Sequence, residues 1–142
     1  MSASNDFENA VALLFFNATN WANVADNAAS SPQTNWRLSL HTADPGEAGS
    51  QTTSEITYTS YARKDVARTS GGFTVSGNAA TLAALTSFVA GTGGSGTATH
   101  LGLGTATSGA GILEMSGTVT PNIVTGNGIT PQLTTSTSFS FD

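Results

Sequence analysis

From Trp36 onward, turn signals recur at short intervals, and the apolar residues between them alternate instead of following a helical period. That combination restricts the chain to short strands. Side chains on a strand point to opposite faces in turn, and clusters of Gly, Pro, Asn and Asp supply the dihedrals that reverse the chain. Trp36, Leu38 and Leu40 alternate with Arg37, Ser39 and His41, which predicts a half-buried strand. Asp44-Pro45-Gly46 ends it, because Pro presets one turn dihedral and Gly accepts the next. Residues 55–61 alternate again, with Ile56 and Tyr58 on one side, and 61–67 follow as a further extended piece. Ser70-Gly71-Gly72 turns into the short strand Phe73-Thr74-Val75, and Gly77-Asn78 turns the chain once more. Strands are also expected at 82–89, at 97–103 with Leu101 and Leu103 inward, and at 112–115, 117–124, 129–133 and 136–141. Gly126-Asn127-Gly128 is a tight-turn signal within this set. About eight short strands predict an all-β, jelly-roll-like sandwich.

One segment departs from this rule. Residues 5–17 carry Phe7, Val11, Leu14 and Phe15 at helical spacing, with Asn5 or Asp6 placed to cap and Glu8 in the first turn. A helix is expected there, followed by an irregular connection over 19–34 in which Trp21 is the candidate anchor. The expected organisation is an N-terminal helix and arm over 1–34 and a sandwich over 35–142, forming one compact unit.

Composition narrows the function classes. Charged residues are 9% of the chain, against about 25% in an average soluble domain. Ser, Thr and Gly fill the gap. A surface of hydroxyls suits β structure, and it suits a protein packed against neighbours, where each buried charge would need a partner. The four cations are Arg37, Arg63, Lys64 and Arg68, against nine acids. So few cannot neutralise many phosphates, and direct nucleic-acid binding is not expected. No cysteine is present, which removes thiol catalysis, disulfides and cysteine-ligated zinc. No apolar run approaches the roughly 18 residues of a membrane span. The run at 10–16 is preceded by Asp6 and Glu8 where a secretion signal would carry basic residues, so synthesis and assembly in the cytoplasm are expected.

Few residues suggest chemistry. His41 and His100 lie at predicted strand ends, and Asp44 or Glu114 could join them at a metal, but no ligand spacing supports this. No Gly-x-Ser-x-Gly elbow marks a nucleophilic serine among the many present. Residues 91–96 match Gly-x-Gly-x-x-Gly by letter, yet a strand-like segment follows where phosphate binding requires a helix N-terminus. No catalytic residue, metal or cofactor is expected.

The segment Leu40-His41-Thr42-Ala43-Asp44-Pro45-Gly46-Glu47-Ala48-Gly49, followed by Tyr61-Ala62-Arg63, resembles a family of small phage virion proteins often labelled tail-fibre proteins. Glu8-Asn9, Ala98-Thr99-His100-Leu101-Gly102, residues 111–117 and Gly128-Ile129-Thr130-Pro131 extend the resemblance from about residue 6 to the end of the chain. The size and composition are also similar to capsid cement or decoration proteins. The resemblance implies a structural component of the virion. The favoured expectation is a decoration protein that clamps the major capsid protein and assembles as a homodimer or homotrimer. The alternative is a tail-fibre subunit. A carbohydrate-binding module, the third class, would need exposed aromatics among Trp21, Trp36, Tyr58 and Tyr61. The candidate partner contacts are Phe7, Phe15 and Phe16 on the helix, the loop Asp44, Pro45, Gly46 and Glu47, and the basic edge Arg63, Lys64 and Arg68.

Overall fold

The structure, a computed structural model, describes residues 3–141. It is mostly β with one N-terminal helix, as the sequence predicts. Helix α1 spans Asn5–Asn17. The strands are β1 (Asn35–His41), β2 (Lys64–Ala67), β3 (Phe73–Ser76), β4 (Ala79–Leu82), β5 (Thr86–Ser87), β6 (Ser95–Gly104), β7 (Leu113–Gly126), β8 (Gln132–Leu133) and β9 (Ser138–Ser140). They form sheets of order β2-β1-β6-β7, β3-β4-β9 and β5-β8, and none closes into a barrel. The pairs β1–β6, β6–β7, β3–β4 and β4–β9 are all antiparallel. The chain divides into two compact units. One contains residues 3–35, 66–85 and 133–141, and the other contains 36–65 and 86–132.

The first unit is built on aromatic rings. Phe16 of α1 is fully buried and lies against Phe73 of β3 and Phe139 of β9, with centroids 5.1 and 5.8 Å away. Phe15 meets Phe141 edge-on at 5.7 Å. Burying such rings is worth about 1.5–3 kcal/mol each, and edge-on pairing adds to it. The helix bounds match the expectation, but two details differ. Ser4, not Asn5 or Asp6, caps the helix, its Oγ accepting from the Phe7 amide at 3.3 Å. The buried stripe is Ala12 and Phe16, one position around from the expected Val11 and Phe15, and Phe7 stands 49% exposed. Periodicity places an apolar face only to within a residue. Here the face turns to the ring that three other phenylalanines can enclose, Phe73, Phe139 and Phe141.

The second unit holds the centre of the four-stranded sheet. Trp36, Leu38 and Leu40 are buried as expected, and Leu38 and Leu40 register with Leu103 and Leu101. The opposite face of β1 is not solvated. Ser39 and His41 are also fully buried. The loop after β1 covers them, and polar groups that would have met water must find partners inside.

Several expected strands take other forms. Residues 55–61 form no ladder, although Ile56 and Tyr58 are both 2% exposed, and among the described residues the segment makes only isolated β-bridges, His41–Glu55 and Thr59–Gly93. Left-handed dihedrals at Ser54 and Ser60 bend both ends out of a strand path. Only Lys64–Ala67 of the piece expected at 61–67 is a strand. Residues 82–89 are interrupted between β4 and β5. The strands expected at 112–115 and 117–124 are one, β7, with two irregularities in its pairing, the first at Glu114, between the pairs Leu103–Met115 and Gly104–Leu113. His100 registers with Thr118 and Ala98 with Ile123, so residues 119–122 bulge opposite Thr99 alone.

Candidate functional site

Asp44-Pro45-Gly46-Glu47 forms the predicted turn. Asp44 Oδ1 accepts from the Gly46 amide at 2.9 Å, and Gly46 sits at φ +71°, a dihedral that glycine adopts without strain. Pro45 is buried, whereas Asp44, Gly46 and Glu47 are exposed. These three line one wall of an open groove of about 500 Å³. The other walls are His100 of β6 and the consecutive residues Leu113, Glu114, Met115, Ser116, Gly117 and Thr118 of β7. Ser116 and Thr118 register with Gly102 and His100, while Met115 and Gly117 register with Leu103 and Leu101. The groove therefore runs beside β7, the last strand of the sheet, and reaches across it to His100 on β6. The outer edge of β7 pairs with no further strand among the described residues, since β7 ends the sheet order.

Beneath the groove's loop lies a sealed polar layer. His41 Nδ1 is 2.8 Å from the Thr53 carbonyl, which can only accept, so Nδ1 carries the proton. Nε2 then accepts from the Ser39 hydroxyl at 2.8 Å. This neutral tautomer is satisfied at both nitrogens, and desolvation holds the His41 pKa below its ordinary value, with Arg63 and His100 acting the same way against the Thr53 bond and Glu55. Gly102 makes the layer possible, because a Cβ there would fall 2.6 Å from both His41 Nε2 and Ser39 Oγ. The serine and histidine thus touch, but neither reaches solvent.

A second network fastens the same loop. Arg63 grips Glu55 with two bonds, Nε to Oε1 at 2.6 Å and Nη2 to Oε2 at 2.7 Å. Arg63 also donates to the carbonyls of Ala106 and Gly109. The Tyr61 hydroxyl donates to Glu55 and accepts from the Leu40 amide, both at 3.0 Å, and burial pushes its pKa up. Gln51, fully buried, accepts from the Ala106 amide at 2.8 Å. The Tyr-Ala-Arg segment is therefore a clasp between a loop and its sheet.

The expected contact residues scatter accordingly. Asp44, Gly46 and Glu47 meet in the groove. Phe16 is enclosed, and Phe15 is half-buried against Phe16 and Phe141, so the helix does not present them as a free patch. Phe7 is exposed and edge-on to Trp21 at 5.3 Å. The expected basic edge is not one. The Arg63 side chain is 3% exposed, and Arg68 donates at 2.6 Å to the carbonyls of Leu14 and Phe15 and to Asn27. Those carbonyls are the unpaired last turn of α1, where a cation also meets the negative end of the helix dipole. Only Lys64 remains exposed without an ionic partner among the described cations. Of the groove's strand walls, only His100 on β6 and Glu114 on β7 were foreseen, as metal candidates. The signal for the β7 wall was the nearly uncharged run after residue 112. Asp44, His100 and Glu114 do line one groove, yet no three metal-binding side chains cluster among the described residues. Trp36 and Tyr58 are buried, which removes them from any sugar platform.

The fold and groove describe a small β protein in which Ser39, His41, Glu55, Tyr61 and Arg63 are bonded to one another or to the scaffold and β7 ends the larger sheet. The chain belongs to a bacteriophage structural family: the family model described as podophage GP4 fiber I protein gp80 matches residues 2–137. It is accordingly a virion-associated protein of small, fibre-like type. A search of curated proteins found no match.

Proposed function

We propose that this protein is a non-enzymatic structural subunit of a phage tail fibre. The observation that carries the reading is the unpaired outer edge of β7. A free edge presents alternate N–H and C=O groups as a template for another chain, and monomeric proteins usually protect such edges with lysines, prolines or bulges. Here one irregularity falls at Glu114 and the bulge with its proline begins at 119, which leaves residues 115–118 in regular register with no lysine, proline or bulge of their own. An assembled subunit has a use for that edge. The side chains with catalytic potential support the reading too: Ser39 and His41 are sealed, and Glu55, Tyr61 and Arg63 are spent on one another.

Gold-labelled antibody on intact particles tests the location. Label confined to the tail, at a few copies per particle, supports the fibre subunit. Label spread over the head at hundreds of copies sinks it in favour of a capsid clamp binding the major capsid protein, which acts by favouring only the assembled shell.

A further inference from the structure

We propose that the groove along β7 receives an extended, lysine- or arginine-bearing segment of a different virion protein, added to the sheet as a strand beside residues 113–118. The inference rests on the reading of the protein as an assembled subunit and names the chemistry of its partner.

The backbone supplies the first argument. No hydrogen bond outside the β6 ladder involves residues 113–118 among the described residues. Strand addition would pair the free groups, and alternate side chains of the incoming segment would then face the two sides of the sheet. The irregularity at Glu114 and the bulge at 119–122 bound the regular template to residues 115–118, so the docked stretch is short. Leu113 and Met115 are half-buried and offer apolar contact along the strand.

Charge selects the occupant. Asp44, Glu47 and Glu114 line the groove with His100, and no lysine or arginine does. The turn bond from Gly46 leaves Asp44 its other oxygen. A segment with cations at alternate positions on one face would meet carboxylates on the loop and on β7. A second copy of this chain is poorly suited. Arg37 is paired with Asp65 at 2.7 Å, Arg63 with Glu55, and Arg68 with helix carbonyls, which leaves Lys64 alone to offer. With a net charge of −5, two copies also repel.

The test uses the full chain and two labelled peptides, one alternating Lys and Thr, the other alternating Glu and Thr. Fluorescence anisotropy should show binding of the lysine peptide, weakening as salt rises. Glu47→Lys with Glu114→Lys should weaken it by about tenfold, since exposed pairs contribute modestly and are here reversed, not merely removed. Both side chains are exposed, so the double variant should keep the parent circular dichroism. Hydrogen exchange should slow at amides within 113–118 on binding. Equal binding of the glutamate peptide, or unchanged affinity in the charge-reversed variant, overturns the basic segment. Binding without slowed exchange at 113–118 overturns strand addition. A dimer by sedimentation with those amides already protected assigns the edge to a second copy. None of these outcomes bears on where the particle carries the protein, which antibody labelling decides separately.

Discussion

In the unit of residues 3–35, 66–85 and 133–141, the largest buried groups are rings, with Phe16 enclosed by Phe73, Phe139 and Phe141. In the unit of 36–65 and 86–132, an apolar layer of Leu38, Leu40, Leu101 and Leu103 is joined by a second buried layer that is polar, Ser39, His41 and Gln51. The difference is one of specificity. Aromatic burial is strong and tolerant of direction, so it can hold a helix on a small sheet with little sequence precision. Hydrogen bonds in a sealed layer contribute little net energy but fix one geometry, because each unmade bond is costly. The directional unit is the one that shapes the groove, and a docking edge needs a fixed loop opposite it.

The sharpest break of this comparison is Phe16→Ala. It should cost about 3–5 kcal/mol, the range for emptying an aromatic site in a core. Urea denaturation reads the loss, and hydrogen exchange should show α1, β3 and β4 loosening more than β1 and β6. Equal loosening in both units would erase the distinction. Next comes Glu55→Gln, which leaves the Arg63 cation buried without its counter-charge. The expected loss is about 3 kcal/mol, at the low end for a broken buried pair because two carbonyls still accept from Arg63. Slowed exchange of the 42–55 loop would normally accompany the intact clasp, and the variant should lose it. Arg68→Met removes the cation from the last turn of α1 and should cost about 2 kcal/mol in the same denaturation assay, mostly from carbonyls left unpaired.

Acid sharpens the comparison from the other side. The folded pKa of His41 is lowered, so its contribution to stability is fully present above the unfolded value of about 6.5. It is lost as pH falls from there toward the folded-state value, because the unfolded chain takes up the proton first. Denaturation midpoints should therefore drop between pH 7.5 and the acid side, and His41→Asn should flatten that part of the profile. An unchanged slope in the variant would assign the acid sensitivity elsewhere. The smallest effect is expected for Phe7→Ser. Phe7 is 49% exposed and meets Trp21 edge-on, so about 1 kcal/mol or less should be lost.

Legibility in the sequence followed the same division. Strongly patterned segments were readable: α1 to its terminal residues, β1 and β6 with their inward leucines, and the Asp44-Pro45-Gly46 turn. Residues 55–61 misled because alternate burial of Ile56 and Tyr58 arises here without a strand partner, through a loop laid over a sheet. The candidate site was half readable. Its loop carried turn chemistry and acids, whereas its other wall is an edge, and position in a sheet is not written in any local pattern.

By itself the sequence determined a β-rich chain with one helix at its start, a surface of hydroxyls, and a membership in a phage structural family that spans residues 2–137. Those follow from periodicity, turn residues and motif, all of them local. The tertiary structure alone decided the fate of the cations and polar groups. Arg63 and Arg68 look alike in sequence to any exposed basic residue, yet one is clasped to Glu55 and the other caps a helix more than fifty positions away in the chain. Whether a charge faces water, a partner or a carbonyl depends on which distant segment folds against it, and that is a property of packing.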